Sequence, residues 1–232
     1  MADDFQGEDD KGYLYKVLVV GDSGTGKTSY INSFVHGIFS NRYKATIGVD
    51  FALKVMNISD DKVVRLQLWD IAAKMKLKFI YKIKIKLGQE RYTNMTRVYY
   101  NEAVGAFVVF DVTRMDTLEN VKKWKNDIDS KTFLPDGSVI PVVLLANKFD
   151  LTPEGFGKTD KEMDEFCKEF GFLGWFPTSA KTKLNINECA QFLVNKILEN
   201  DLKMKQNKKP KEQAIHLEEP LTTQSKGGNG CC

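Results

Sequence analysis

The chain has no long hydrophobic run. Nowhere in its 232 residues do eighteen or more apolar residues follow one another, so no helix is expected to span a membrane. The stretch from Met1 to Asp10 is acidic and lacks an apolar segment, so no secretory signal is expected. Cysteine is scarce, at four residues. Cys167 and Cys189 stand singly in helical-looking segments and Cys231-Cys232 form a terminal pair, which does not make a disulfide framework; reduced thiols and a cytosolic compartment are the expectation. There is no internal repeat. A large excess of one charge is also missing, with 34 basic residues against 31 acidic. Six of the lysines fall in residues 73–87, which hold no acid; without those six, 28 basic residues face 31 acidic ones. The body is therefore mildly acidic, and a general nucleic-acid binder is not expected.

What the chain does have is 42% hydrophobic residues, enough for a sizeable core, arranged as alternating strand-like and helix-like segments. Tyr13 to Val20 reads as a buried strand ending at Gly21, and Lys27 to about Val35 as a helix. Phe51 to Met56 and Val63 to Trp69 read as a hairpin around a polar connection, residues 57–62. Ala106 to Val112, Ile140 to Leu145 and Leu173 to Phe176 complete the strands. Leu118 to Ile128, Lys161 to Phe170 and Ile186 to Leu198 read as amphipathic helices. This order predicts an α/β fold with helices on both faces of a sheet. From about Lys203 the chain becomes lysine-rich and then polar. Its apolar content is too low to offset the entropy of ordering, so a disordered tail is expected over 201–232.

Gly21-Asp22-Ser23-Gly24-Thr25-Gly26-Lys27-Thr28 matches the phosphate-loop pattern G-x-x-x-x-G-K-[ST] and sits between a strand and a helix, the context that mechanism requires. Glycine permits the turn that aims backbone N–H groups of Ser23, Gly24, Thr25 and Gly26 at phosphate oxygens, and the helix N-terminus adds partial positive charge. Lys27 is expected to reach the β- and γ-phosphates and Thr28 to ligate Mg²⁺. The competing reading is a glycine-rich strand-to-helix turn without a ligand.

Two later segments choose the base. Asn147-Lys148-Phe149-Asp150 follows an apolar strand, so it lies where ligands bind in such sheets. The Asp150 carboxylate can accept hydrogen bonds from N1–H and the exocyclic amine of guanine, a donor pair adenine lacks. Ser179-Ala180-Lys181 follows another strand and can supply a backbone N–H to the guanine O6. Each is weak alone, since such residues are ordinary turn formers. In this order, after a phosphate loop, the three are specific for a guanine nucleotide.

With those motifs in place, the chain resembles the Ras-like small GTPases, and more narrowly the Rab family. Ile47-Gly48-Val49-Asp50-Phe51, Arg65 to Asp70, Tyr99-Tyr100 and Ala106 to Thr113 are similar to Rab signatures, as is the terminal Cys231-Cys232. Ile71-Ala72, Asn94 to Tyr100 and Leu144 to Lys148 resemble the Rab branch of lysosome-related organelles. The similarity covers about residues 13–200 apart from 73–87. It implies a P-loop NTPase fold, a Ras-like G domain with a mostly parallel six-stranded sheet, preceded by an acidic extension over 1–12. It implies a monomeric GTPase that cycles between GTP and GDP with Mg²⁺ in vesicle traffic. Its partners would be an exchange factor, a GTPase-activating protein, a dissociation inhibitor or escort protein, and effectors. By the same resemblance Thr46 is the switch I threonine that ligates Mg²⁺, Phe39 stacks on guanine, and Asp70 holds Mg²⁺ through water. Gly88 reads the γ-phosphate and Gln89 orients the attacking water.

One departure puts the last two in doubt. Asp70 and Gln89 are nineteen steps apart, where the family runs four, so residues 73–87 are an insertion of fifteen. All eight odd positions of the insert are apolar or aromatic and six of its seven even positions are lysine, the period of an amphipathic strand. Three origins compete: a basic strand that docks on an anionic membrane or a sheet edge, a tolerated loop insertion, and a translated non-coding stretch of adenine- and thymine-rich codons. The composition favours the third. The alternative function that follows is a guanine-nucleotide-binding protein with impaired hydrolysis and switching, because Gly88 and Gln89 must be placed within about an ångström for the chemistry.

Cys231-Cys232 is not a C-a-a-X box, with Asn229 at the position that would hold its cysteine. Similarity to the Rab family implies geranylgeranyl groups on both cysteines, and two lipids suit stable anchoring to the cytoplasmic face of an organelle. The lysines between 203 and 211 would add attraction to an acidic leaflet.

Overall fold

The computed structural model describes residues 12–42, 44–59, 62–72, 99–152 and 154–207. The predicted insertion 73–87, Gly88, Gln89 and the lipidation residues Cys231 and Cys232 lie outside the described residues.

The eight residues of the first predicted strand form β1 (Tyr13–Val20), and the helix after the phosphate loop is α1 (Lys27–His36). β2 (Val49–Ser59) and β3 (Lys62–Ile71) follow, then β4 (Ala103–Asp111), α2 (Met115–Asp129), β5 (Val142–Asn147), a single 3₁₀ turn (Phe149–Leu151), α3 (Asp160–Phe170), β6 (Gly174–Thr178) and α4 (Ile186–Asn207). The six strands form one sheet in the order β2-β3-β1-β4-β5-β6, antiparallel only between β2 and β3.

Strand periodicity explains the two cores. Leu18, Ala106, Val108, Phe110, Leu144 and Ala146 face α2 and α3. Their neighbours Val17, Val19, Phe107, Val109, Val143 and Leu145 face α1 and α4. Central parallel strands are thus apolar on both sides, which is why β4 and β5 read as continuous runs. Each fully buried aliphatic or aromatic side chain contributes about 1.5–3 kcal/mol to the fold. Truncating Phe107, which is fully buried, would cost about 3–5 kcal/mol.

Several element boundaries differ from the sequence expectation, and three of them have a clear physical reason. The hairpin strands run further into the polar connection, with Asn57 opposite Val63 and Ser59 opposite Lys62, because ladder hydrogen bonds need backbone rather than apolar side chains. β5 begins at Val142 rather than Ile140; Pro141 has no N–H for a ladder, and only its carbonyl is used, by the Ala106 amide at 3.0 Å. Finally, α4 continues through Asn207, past residue 200 where the sequence predicts the start of a tail. Asp201 accepts a hydrogen bond from the Tyr15 hydroxyl at 3.2 Å and pairs with Lys205 at 2.9 Å, Lys203 pairs with Glu199 at 2.5 Å, and Met204 packs against the core. These i,i+4 pairs and one tertiary anchor hold turns that composition alone leaves unsupported.

Candidate nucleotide site

The five mutually parallel strands β3, β1, β4, β5 and β6 end on the same side, so their carboxyl ends assemble one cavity of about 1080 Å³. Its walls include Ser23, Gly24, Gly26, Lys27 and Thr28 from the phosphate loop, Phe39 and Thr46 from the segment before β2, and Asn147, Lys148, Asp150, Ala180 and Lys181. Three other residues singled out from sequence, Thr25, Asp70 and Ser179, are buried behind that wall rather than on it.

The loop between β1 and α1 needs glycine at two places. Gly21 has φ +143°, and a Cβ there would come 2.1 Å from the Val109 carbonyl oxygen of β4. Gly26 has φ +95°, and a Cβ would meet Asn147 Nδ2 at 2.3 Å. That space is used: Asn147 Nδ2 donates to the Thr25 carbonyl at 2.8 Å, splicing the base-side loop to the phosphate loop across 122 residues. Helix α1 starts at Gly26 with no side-chain cap, so its first N–H groups are open to an anion.

Lys27 lies almost wholly buried. Its Nζ donates to the carbonyls of Gly21 at 2.9 Å and Asp22 at 2.8 Å. Burial pulls its pKa down to about 8, against the opposing charges of Asp70 and Asp22. A phosphate oxygen beside it would favour the ammonium and raise that pKa again.

Thr28, Thr46 and Asp70 converge. The Thr28 hydroxyl donates to Asp70 Oδ2 and lies 2.6 Å from the Thr46 hydroxyl, and Thr46 Oγ1 is 3.4 Å from the same carboxylate oxygen. Asp70 Oδ1 is buried with no hydrogen-bond partner. Burial raises the Asp70 pKa, partly offset by the Thr28 hydrogen bond and the Lys27 charge. Two hydroxyls and a carboxylate with an unspent oxygen are a hard oxygen donor set, which fits Mg²⁺.

On the base side, Asp150 Oδ1 accepts from the Ser179 hydroxyl at 2.7 Å, and the same oxygen of Ser179 accepts from the Thr182 amide at 3.1 Å. One face of the carboxylate is therefore fixed from behind while Asp150 itself lines the cavity. Lys148 has φ +66°, and its Nζ donates to Asp111 Oδ2 at 2.5 Å.

Sequence reasoning assigns no individual role to Asp111, Asp22, Arg114, Asn120 or Trp124, yet the structure brings all five to the phosphate loop and its neighbours. Asp111 is a hub at the end of β4, 1% exposed, accepting from Lys148, from Arg114 Nε at 3.2 Å and from the Thr113 amide and hydroxyl at 3.0 and 2.6 Å. Burial alone would raise its pKa; the Lys148 and Thr113 hydrogen bonds outweigh it and hold the carboxyl below its usual range. The available signal was an acid closing an otherwise apolar strand. The contacts of Asp22 with α2 left no mark in local sequence.

A G domain, with a phosphate loop at the carboxyl edge of a mostly parallel six-stranded sheet, is the class this fold defines. The Ras family model matches residues 16–199, and the chain belongs to the Ras family of small GTPases. It is 59% identical to "Ras-related protein Rab-32A" of Dictyostelium discoideum over 202 residues, 85% of each chain. It is 50% identical to mouse "Ras-related protein Rab-32" over 220 residues, 95% of this chain and 91% of that one, and 48% identical to rat "Ras-related protein Rab-7L1" over 188 residues, 81% and 84%. Within the family it is thus a Rab of the Rab-32 branch, a GTPase of membrane trafficking. Members of this family bind GTP and GDP, typically with Mg²⁺, and work with exchange factors, activating proteins, dissociation inhibitors and effectors on vesicle and organelle membranes. Among the described residues no helix is long and apolar enough to cross a membrane.

Proposed function

We propose that the cavity binds GTP and GDP with Mg²⁺, and that this Rab acts in traffic toward lysosome-related organelles. The observation that carries the site assignment is the meeting of Thr28, Thr46 and Asp70 at the mouth of the phosphate loop. In this reading the amides of residues 23–28 and the Lys27 ammonium hold the phosphates. Thr28 and Thr46 would ligate Mg²⁺ and Asp70 would hold it through water, placing its positive charge beside the phosphates. Asp150 takes the guanine donors, Ala180 and Lys181 frame O6, Asn147 and Lys148 brace the pocket, Ser179 fixes the carboxylate, and Phe39 covers the base. Thr46 and the Gly88 amide sense the γ-phosphate, and Gln89 orients the attacking water. Loss of the γ-phosphate releases Thr46, and the effector surface changes shape. Family membership favours this hydrolysing switch over a binder that does not cycle.

Cys231 and Cys232 carry geranylgeranyl groups and Lys203 to Lys211 add attraction to an anionic leaflet. Single-turnover GTP hydrolysis by the full chain tests the chemistry: Gln89→Leu should slow hydrolysis at least tenfold while leaving GTP affinity near the parent value, and an unchanged rate would refute the assignment. Replacing both terminal cysteines by serine should move the protein from membranes to the soluble fraction of cells; continued membrane residence would overturn the anchor.

A further inference from the structure

The phosphate loop is usually understood through the atoms it turns toward its ligand. Here the opposite side of the loop is held as firmly. Asp22 points away from the cavity, toward the middle of α2. Its Oδ1 accepts from the Trp124 indole Nε1 at 2.9 Å, and its Oδ2 accepts from Asn120 Nδ2 at 2.8 Å. Its backbone carbonyl simultaneously accepts from Lys27 Nζ at 2.8 Å and from the Thr25 hydroxyl at 3.0 Å. One residue onward, the Ser23 carbonyl accepts from Arg114 Nη2 at 3.0 Å, and Arg114 is itself fastened to Asp111. Trp124 is only 5% exposed and belongs to the core on that side of the sheet, so the donors are not free to follow the loop if it shifts.

We propose that Asp22 is a positioning residue for phosphate binding, clamped by Trp124 and Asn120 so that the loop keeps its N–H groups aimed into the cavity. This rests on the reading of the cavity as a guanine-nucleotide site. A carboxylate this close to a phosphate site is unfavourable unless its charge is spent elsewhere, and both oxygens are spent on α2. It also suits the task better than a neutral side chain. A carboxylate offers an acceptor to each donor, and hydrogen bonds to a charged group are roughly twice as strong as neutral ones. An amide at the same position would turn one acceptor into a donor facing the Asn120 amide or the indole N–H. The clamp acts on the end of the ligand that carries the β-phosphate and has no contact with Asp150 or Ser179, so its effect should be confined to that end.

The test compares GDP with GMP, which lacks the β-phosphate. Affinities are measured by competition against a fluorescent GDP on the full chain in Mg²⁺ buffer. Asn120→Ala removes one donor from a half-buried position and is expected to weaken GDP about fivefold. Asp22→Asn is expected to weaken it about tenfold or more. GMP affinity should stay near the parent value in both, so the GDP-to-GMP ratio falls. A merely destabilised fold would weaken both ligands together. The double variant should be no worse than Asp22→Asn alone, because both changes break one clamp. Unchanged GDP affinity, parallel loss of GMP and GDP, or additive losses would each overturn the proposal. Should Asp22→Asn fail to fold, the ratio for Asn120→Ala decides alone. A parent chain that binds neither nucleotide overturns both the clamp and the cavity assignment, whereas tight GDP binding that the variants leave unaltered overturns only the clamp.

Discussion

The two sides of the cavity are built differently. The phosphate and base side is part of the core: Thr25 and Ser179 are fully buried, Asn147 is 2% exposed, and Asp150, Lys148 and Lys27 each have protein partners. The segment before β2 is not: Phe39 is 38% exposed and Ile47 94%, and Thr46 reaches the rest of the site through hydroxyl contacts with Thr28 and Asp70. A wall packed into a sheet holds one shape whatever it binds. A segment held by a few hydroxyl contacts takes its shape from the ligand and metal those hydroxyls meet, which is what a switch requires.

The contrast can be broken experimentally, and Lys27→Ala is the largest blow. It takes the ammonium donor away from the carbonyls of Gly21 and Asp22 and removes the buried cation, so GDP affinity by calorimetry should fall by on the order of a hundredfold or more. Asp150→Ala comes next. A pocket built to pair with a donor pair rejects ligands lacking it, so the preference for GDP over ADP in competition binding should drop by about a hundredfold. Retained preference would place guanine recognition elsewhere.

A milder perturbation is pH. Lys27 has a pKa near 8 in the protein, and phosphate binding raises it because the ligand favours the ammonium. Nucleotide therefore binds the protonated form, and affinity falls as pH rises through 8. Between pH 7 and 9 the protonated fraction drops about tenfold, and GDP affinity should follow it. A flat profile would mean that Lys27 keeps its proton without the ligand. The smallest effect should come from Thr46→Ala, which touches only the loosely held side. It should speed GTP release several-fold in Mg²⁺ and leave GDP release nearly unchanged. Equal acceleration of both nucleotides would show that this segment is as much a fixed wall as the rest.

The packed side is also the side that was legible. A phosphate loop, Asn147 to Asp150 and Ser179 to Lys181 are contiguous, and their chemistry depends on neighbours in sequence. The strands behind them announced themselves because burial on both faces leaves only apolar residues. What stayed hidden was non-local. Asp111 takes Lys148 from a loop 37 positions on, Asp22 meets side chains about a hundred positions away, and nothing local marks either pairing. The extra turns of α4 were missed because charge pairs and one hydroxyl contact, rather than an apolar stripe, sustain them.

The amide of Asn147 occupying the room that any side chain at Gly26 would need has an implication for how the molecule is born. The phosphate loop is synthesised early, but the residue that locks it arrives more than a hundred codons later. The hydrogen bond that splices the phosphate loop to the base-side loop can therefore form only once β5 has closed onto the sheet. Once closed, a nucleotide at a thousand times its dissociation constant adds about 4 kcal/mol of stability. Whatever later ejects the nucleotide removes that increment, so the emptied protein should be the form most easily cleared.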